Sequence, residues 1–315
     1  MEHAVVVKNL AKYYDDYLAV DHINFEVKRG EIFGFLGPNG AGKTTTIRML
    51  TGLTKPSEGT AEIFGHDIKS DTVAAKRNIG IIPEISNVYD DLSAWDNLMF
   101  AGELYQVSKA EREKRAKQLL EMFGLYEKKQ WKAKGFSKGM KRRLTIAMGL
   151  VSNPQLLFLD EPTSGLDVQS TILIRNIIRD LNQKGVTVFL TTHNIEEANL
   201  TCDRVTIIHK GTIAAIDAPE RLKRTIESVQ SVEVAFDRAT SELLKELESI
   251  PFVNEVRKEG DKFRLYTHDP STVLSGLWEY AKTSNLKPVS LNTLGPSLED
   301  VFVRLTEIGM ESRTG

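Results

Sequence analysis

Residues 32–44 read Ile-Phe-Gly-Phe-Leu-Gly-Pro-Asn-Gly-Ala-Gly-Lys-Thr. The last eight, 37–44, spell G-x-x-x-x-G-K-T, the spacing of a phosphate-binding loop. The apolar run Ile32–Leu36 before it predicts a buried strand, and Thr45–Leu50 after it predicts a helix closed by Gly52. A strand, a glycine loop and a helix in that order let backbone N–H groups curl around phosphate oxygens. The helix that follows contributes unpaired donors and the positive end of its dipole. Gly37, Asn39, Gly40 and Gly42 shape the loop, Lys43 reaches the terminal phosphates, and the Thr44 hydroxyl ligates Mg²⁺, with Thr45 beside it.

The chain around this loop has 315 residues, enough for about two domains. Its composition, 41% hydrophobic and 27% charged, is that of a globular protein, and a net charge of −2 gives no sign of affinity for nucleic acid. No apolar run is long enough to cross a bilayer, and the acidic start Met-Glu-His shows no signal peptide. Cys202 is the only cysteine, so it forms no disulfide within the chain and reads as a small core residue.

Short strands are predicted at 4–8, 23–28 and 60–64, with Tyr13, Tyr14 and Tyr17 clustered between the first two. From about 90 to 153 the pattern is helical. Ser93 with Asp96, and Ser108 with Glu111, are spaced as N-cap and N3 pairs. Ser137 opens a third helix over 138–152. Strand runs then return at 156–159, 186–190 and 205–208, the first two separated by a helix through Leu173, Ile177 and Leu181. The alternation predicts an α/β core with a parallel or mixed sheet, interrupted by an inserted helical subdomain. A boundary is expected at 222/223. Beyond it the reading is strand 231–236, helix 241–249, strands 252–258 and 262–267, helix 271–285, strand 287–292 and a helix 297–308 capped by Ser297 and Asp300. The order βαββαβ is the ferredoxin-like one, so 223–315 is expected to be a small α+β domain.

Leu156–Glu161 is a buried run that ends in two carboxylates. Asp160 at the strand tip suits a Mg²⁺ ligand, and Glu161 suits polarising a water. His193 closes the strand over 186–192, which is expected to neighbour the Asp160 strand. Asp167 reads by itself as a helix N-cap. Phe136-Ser137-Lys138-Gly139-Met140-Lys141-Arg142-Arg143 reads either as an anion-binding helix start or as an ordinary exposed basic face.

Together these pieces resemble the ATP-binding subunit of an ABC transporter, over about residues 4–217, within the P-loop NTPase fold. Residues 37–44 are similar to its Walker A and 156–161 to its Walker B, with Glu161 as catalytic glutamate. Ser164–Asp167 resembles the D-loop, His193 the switch histidine, and 136–140 the signature, usually Leu-Ser-Gly-Gly-Gln. Tyr14 falls at the aromatic that stacks on adenine, with Tyr13 the alternative. The resemblance implies ATP hydrolysis by Glu161, His193 and Lys43. It also implies Mg²⁺ held by Thr44, Asp160 and Glu84, Asp167 among the nucleotide-binding residues, and a head-to-tail homodimer in which Ser137 and Gly139 meet the nucleotide of the other copy. A separate membrane permease and a peripheral cytoplasmic location on the inner face of the membrane go with it. Two positions depart from the family: Lys138 replaces the signature's first glycine, and Glu84 stands where the family has its Q-loop glutamine. The ending Pro296–Phe302 and the run Met140–Leu144 resemble the drug- and polymer-export branch of the daunorubicin-resistance type. Two rival readings remain: a soluble ABC ATPase acting on ribosomes or DNA, and an ATP sensor with little turnover.

Overall fold

The computed structural model describes residues 2–225, 230–238 and 243–311, with side chains to 306, and the chain divides into two units, Met1–Ala218 and Pro219–Gly315. The first unit begins β1 (His3–Tyr14), β2 (Tyr17–Lys28), β3 (Ile32–Leu36), α1 (Lys43–Leu50), β4 (Glu58–Ile63), β5 (His66–Asp67), α2 (Thr72–Arg77) and β6 (Ile79–Ile82). It continues with α3 (Ala94–Leu104), α4 (Lys109–Met122), α5 (Lys138–Leu150), β7 (Leu156–Asp160), α6 (Val168–Gln183), β8 (Thr187–Thr192), α7 (Ile195–Thr201), β9 (Arg204–His209) and β10 (Thr212–Asp217).

The runs that are apolar throughout became central strands. β3, β7 and β8 are buried at every residue, as strands covered on both faces must be. They lie in a six-stranded sheet of order β10-β9-β3-β8-β7-β6, parallel except for β10. β1 and β2 mix buried and exposed positions instead, β2 alternating strictly only toward its end, and with β4 and β5 they form an antiparallel four-stranded sheet. Phe25 of β2 stacks on Phe33 of β3 with ring centroids 5.6 Å apart, and Phe35, Phe158 and Phe189 join them in one core. Cys202 is buried in the same unit.

The helical insert is α3 to α5. Ser93 caps α3, accepting from the Asp96 N–H at 3.0 Å while its own hydroxyl donates to Asp96 Oδ2 at 2.6 Å. Ser108 occupies the N-cap position of α4 but makes no capping bond through its side chain, and Glu111 pairs with Arg115 at 2.8 Å instead. The expected capping box is therefore absent there: an i,i+4 ion pair on the same helix takes the carboxylate.

The second unit starts at Pro219, ahead of the boundary expected at 222/223, because Pro219–Arg224 forms a helix, α8, that buries Leu222. It continues β11 (Gln230–Phe236), α9 (Leu243–Glu248), β12 (Val253–Glu259), β13 (Lys262–Thr267), α10 (Pro270–Thr283), β14 (Pro288–Leu294) and α11 (Leu298–Glu311). Residues 241–242 of the helix expected at 241–249 lie outside the described residues. From β11 to β14 the element order is βαββαβ, and the sheet order is β12-β13-β11-β14 with every neighbour antiparallel. Val232, Val234, Phe263 and Leu265 pack with Leu243, Leu247, Val273 and Leu277 of the helices. Arg264 and Tyr266 alternate to the opposite face, where Asp300 of α11 lies 3.1 Å from the guanidinium and 3.3 Å from the phenol. Asp300 also takes the Ser297 N–H at 2.8 Å, closing the capping pair read from the sequence.

Candidate active site

β3 delivers the glycine loop at the carboxyl edge of the parallel sheet, the edge at which open α/β sheets bind ligands. Gly42 has φ 105°, and a Cβ there would stand 2.7 Å from the Ala19 carbonyl oxygen, so a side chain is excluded on both grounds. Gly42 precedes α1 with no side-chain cap, which leaves the first N–H groups of that helix available to an anion. Lys43 is buried; its ammonium donates to the carbonyls of Gly37 at 2.7 Å and Pro38 at 3.2 Å.

The neighbouring strand tips complete the site. β8 lies between β3 and β7, so the three parallel ends converge. Thr44 Oγ1 is 3.3 Å from Asp160 Oδ1, which also accepts from Thr191 Oγ1. Glu161 follows with φ 46°, a left-handed backbone that costs a glutamate about 1–3 kcal/mol. Its N–H is held by the Thr191 carbonyl at 3.1 Å. That strained turn aims the carboxylate between two partners. Oε2 lies 2.9 Å from His193 Nδ1, within hydrogen-bond reach. Oε1 lies 3.3 Å from the Lys43 ammonium, is buried, and accepts no hydrogen bond.

A cavity of about 350 Å³ opens onto this cluster, lined by Asn39, Gly40, Gly42, Lys43, Thr44, Thr45, Glu84 and Glu161, with Tyr14 and Tyr17 at one end. Asp160, buried, and His193, half exposed, do not line it themselves but are joined to it through Thr44 and Glu161. Of the tyrosines, Tyr14 lines the cavity and Tyr13 does not. Tyr17 is the addition: it pairs with Tyr14 across the β1–β2 turn, which puts both rings on one side. Thr191 also escaped the sequence reading, because a threonine inside an apolar strand carries no local signal of a polar role. Hard oxygen donors at Thr44, Asp160 and Glu84 suit Mg²⁺.

Ser137, Gly139 and Asp167 are not brought to this cavity. Ser137 caps α5 through the Met140 N–H at 3.2 Å, and Asp167 caps α6 through the Ser170 N–H at 2.8 Å. Gly139 packs so tightly on α6 that a Cβ would stand 2.6 Å from Ser170 Oγ. A separate cavity of about 490 Å³ lies beside them, lined by Glu84, Phe136, Lys138, Arg142, Ser164 and Leu166 among others.

Behind Glu161, the carboxyl of Glu197 in α7 is 1% exposed and accepts from Thr163 Oγ1 at 2.6 Å. Burial raises its pKa above the usual 4.5, and the Glu161 charge adds to that against the hydrogen bonds from Thr163 and Thr192. A raised acid pKa means that ionising Glu197 costs the fold something that is absent below 4.5 and grows as pH rises through the folded value. Glu197→Gln keeps the acceptor for Thr163 and removes the charge. It is expected to raise Tm above neutral pH and to leave it unchanged in acid. Thermal melts across pH check this; an equal shift at both ends would refute it.

Comparison with known proteins agrees with this geometry. The ABC transporter family profile matches residues 20–164. The chain is 37% identical over 307 residues to the Nod factor export ATP-binding protein I of Ralstonia nicotianae, covering 98% of this chain and 94% of that protein. It is 36% identical over 305 residues to the daunorubicin/doxorubicin resistance ATP-binding protein of Streptomyces peucetius, covering 96% and 92%. Among solved structures, a dimeric post-hydrolysis ATP-binding cassette bound to ADP and Pi superposes with a TM-score of 0.62 and 28% identity, over 68% of this chain and 98% of that one. The motifs, the strand-tip geometry and relatives matched nearly end to end place this chain in the ABC transporter family, among its ATP-binding, ATP-hydrolysing subunits.

Proposed function

We propose that the chain powers an exporter by closing on ATP as a dimer and opening after hydrolysis, with a separate permease providing the membrane pathway. The observation that carries this is the triad at three adjacent strand ends, where Lys43 and His193 flank Glu161 at 3.3 and 2.9 Å. The triphosphate is taken by the N–H groups of residues 39–44 and by Lys43, which exchanges its contact with Glu161 for a phosphate oxygen. Tyr14 and Tyr17 receive the base on their rings. Glu161, its Oε2 fixed by His193, turns the free Oε1 to a water and takes up its proton. Thr44, Asp160 and Glu84 would hold Mg²⁺, which offsets phosphate charge when bound.

The dimer is supported by what one chain lacks. Ser137 and Gly139, at the start of a capped helix, lie apart from the phosphate loop of their own chain, so they meet a nucleotide only from a second copy placed head to tail. The relatives named for Nod factor export and daunorubicin resistance support export. A partner in the membrane is needed because no helix among the described residues is long and apolar enough to cross one. The location that follows is the cytoplasmic face of the membrane.

The test is recovery from cells. Solubilised membranes are expected to yield the chain with a polytopic hydrophobic partner whose presence raises ATP turnover. Recovery with ribosomes, or free of membranes throughout, would overturn the transport reading.

A further inference from the structure

The run Lys141-Arg142-Arg143 includes one arginine that is not on the surface. Arg142 is 3% exposed. Its Nε donates to the Pro162 carbonyl at 2.9 Å, and Nη2 donates to the carbonyls of Asp160 at 2.8 Å and Glu161 at 3.1 Å. Nη1 donates to the Glu84 carbonyl at 3.1 Å and to that of Pro83. A guanidinium has five N–H donors and no acceptor. Here every donor meets a main-chain carbonyl and none is spent on a carboxylate.

Those carbonyls belong to two segments. Pro83 and Glu84 leave β6, and Asp160, Glu161 and Pro162 leave β7, its parallel neighbour. The carboxylates assigned to metal and water are carried on these same residues. Burial pushes the Arg142 guanidinium down to about 10, while Asp160, Glu197, Glu84 and Glu161 hold it up, so it stays charged at neutral pH. Arg142 stands five residues after the cap Ser137, about 7.5 Å along the axis of one helix. Both ends of that span belong to one continuous helix.

We propose that Arg142 is a positioning residue: it locks the exits of β6 and β7 to each other and to α5, so that Glu84, Asp160 and Glu161 keep their places when the start of α5 meets a phosphate. The inference rests on the roles given to Glu161 and to Ser137 and Gly139. It makes Arg142 the link between the helical insert and the hydrolytic end of the cavity, acting through backbone rather than through substrate contact.

The test uses the full-length chain and ATP. Arg142→Lys keeps a buried charge, but a single ammonium has three donors at one point and cannot span both segments. Its kcat is expected to fall roughly 10- to 100-fold, the loss typical of misplaced reacting groups, with KM and ATP affinity within about twofold of wild type. Arg115→Lys is the control for helix packing. Arg115 ties α4 to the Val151 carbonyl at 2.8 Å, at the far end of α5, and its kcat should not move. Glu161→Gln is assayed in the same panel. If that variant turns over like wild type, the site assignment itself fails. If it is inactive and Arg142→Lys keeps full kcat, or loses ATP affinity in step with rate, the positioning role fails alone. Circular dichroism establishes folding. Should the lysine variant not fold, Arg142→Gln replaces it under the same criteria.

Discussion

The Lys43→Ala variant is expected to lose tight ATP binding while retaining its secondary structure. The Lys43 ammonium is only 6% exposed and already sits among three oxygens, those of Gly37, Pro38 and Glu161. A triphosphate entering the loop offers charged oxygens in place of these. Charge-assisted hydrogen bonds contribute about 1.5–3 kcal/mol each, so losing two of them weakens ATP about 100-fold or more. A second effect adds to this. Without Lys43, the buried Glu161 carboxylate keeps only His193 as an ion partner among the described residues, and its uncompensated negative charge repels the γ-phosphate. Titration with a fluorescent ATP analogue gives the affinity, and a thermal melt separates binding from folding. Unchanged affinity in a folded protein would remove residues 37–44 from the phosphate site.

The Glu161→Gln variant is expected to bind ATP as well as wild type and to hydrolyse it about 100- to 10,000-fold more slowly, the usual contribution of a positioned general base. The amide has nearly the shape of the carboxylate, so the left-handed turn at φ 46° and the contact with His193 survive the change. Only basicity is lost, together with the negative charge beside Lys43. Lys43 is then released toward phosphate. ATP should accumulate in the closed dimer, visible as a doubling of mass by light scattering with ATP and its reversal with ADP. Wild-type turnover would take the role from Glu161. Slow turnover without any dimer would leave Glu161 its role and refute the head-to-tail closure.

The rest of the site shows where local reading stops. Arg142 is flanked by Lys141, which pairs with Asp90 at 2.6 Å on the surface, and by Arg143, whose Nη1 reaches the Phe123 carbonyl at 3.0 Å. In sequence the three are interchangeable cations, and an exposed basic face was the plain account of them. The helix turns 100° per residue, so only the middle one faces the strand tips. β6 was missed for a related reason. Ile79, Ile81 and Ile82 favour a strand, but four residues broken by Gly80 are too short to declare one, and pairing with Leu156–Leu159 is what makes it one.

What the sequence determined was local: the glycine loop between Ile32–Leu36 and its helix, the apolar strand ending in Asp160 and Glu161, the caps at Ser93, Ser137 and Ser297. Each is written in spacing of a few residues, because glycine freedom, hydrogen-bond reach and side-chain period act over that distance. The tertiary structure alone decided that β8 lies between β3 and β7, that Glu161 takes a left-handed turn, and that positions 43, 161 and 193 converge within 3.3 Å. Strand order is a matter of contacts between residues from about thirty apart, as for β7 with β8, to more than a hundred and fifty apart, as for β3 with β8, beyond the reach of a local pattern.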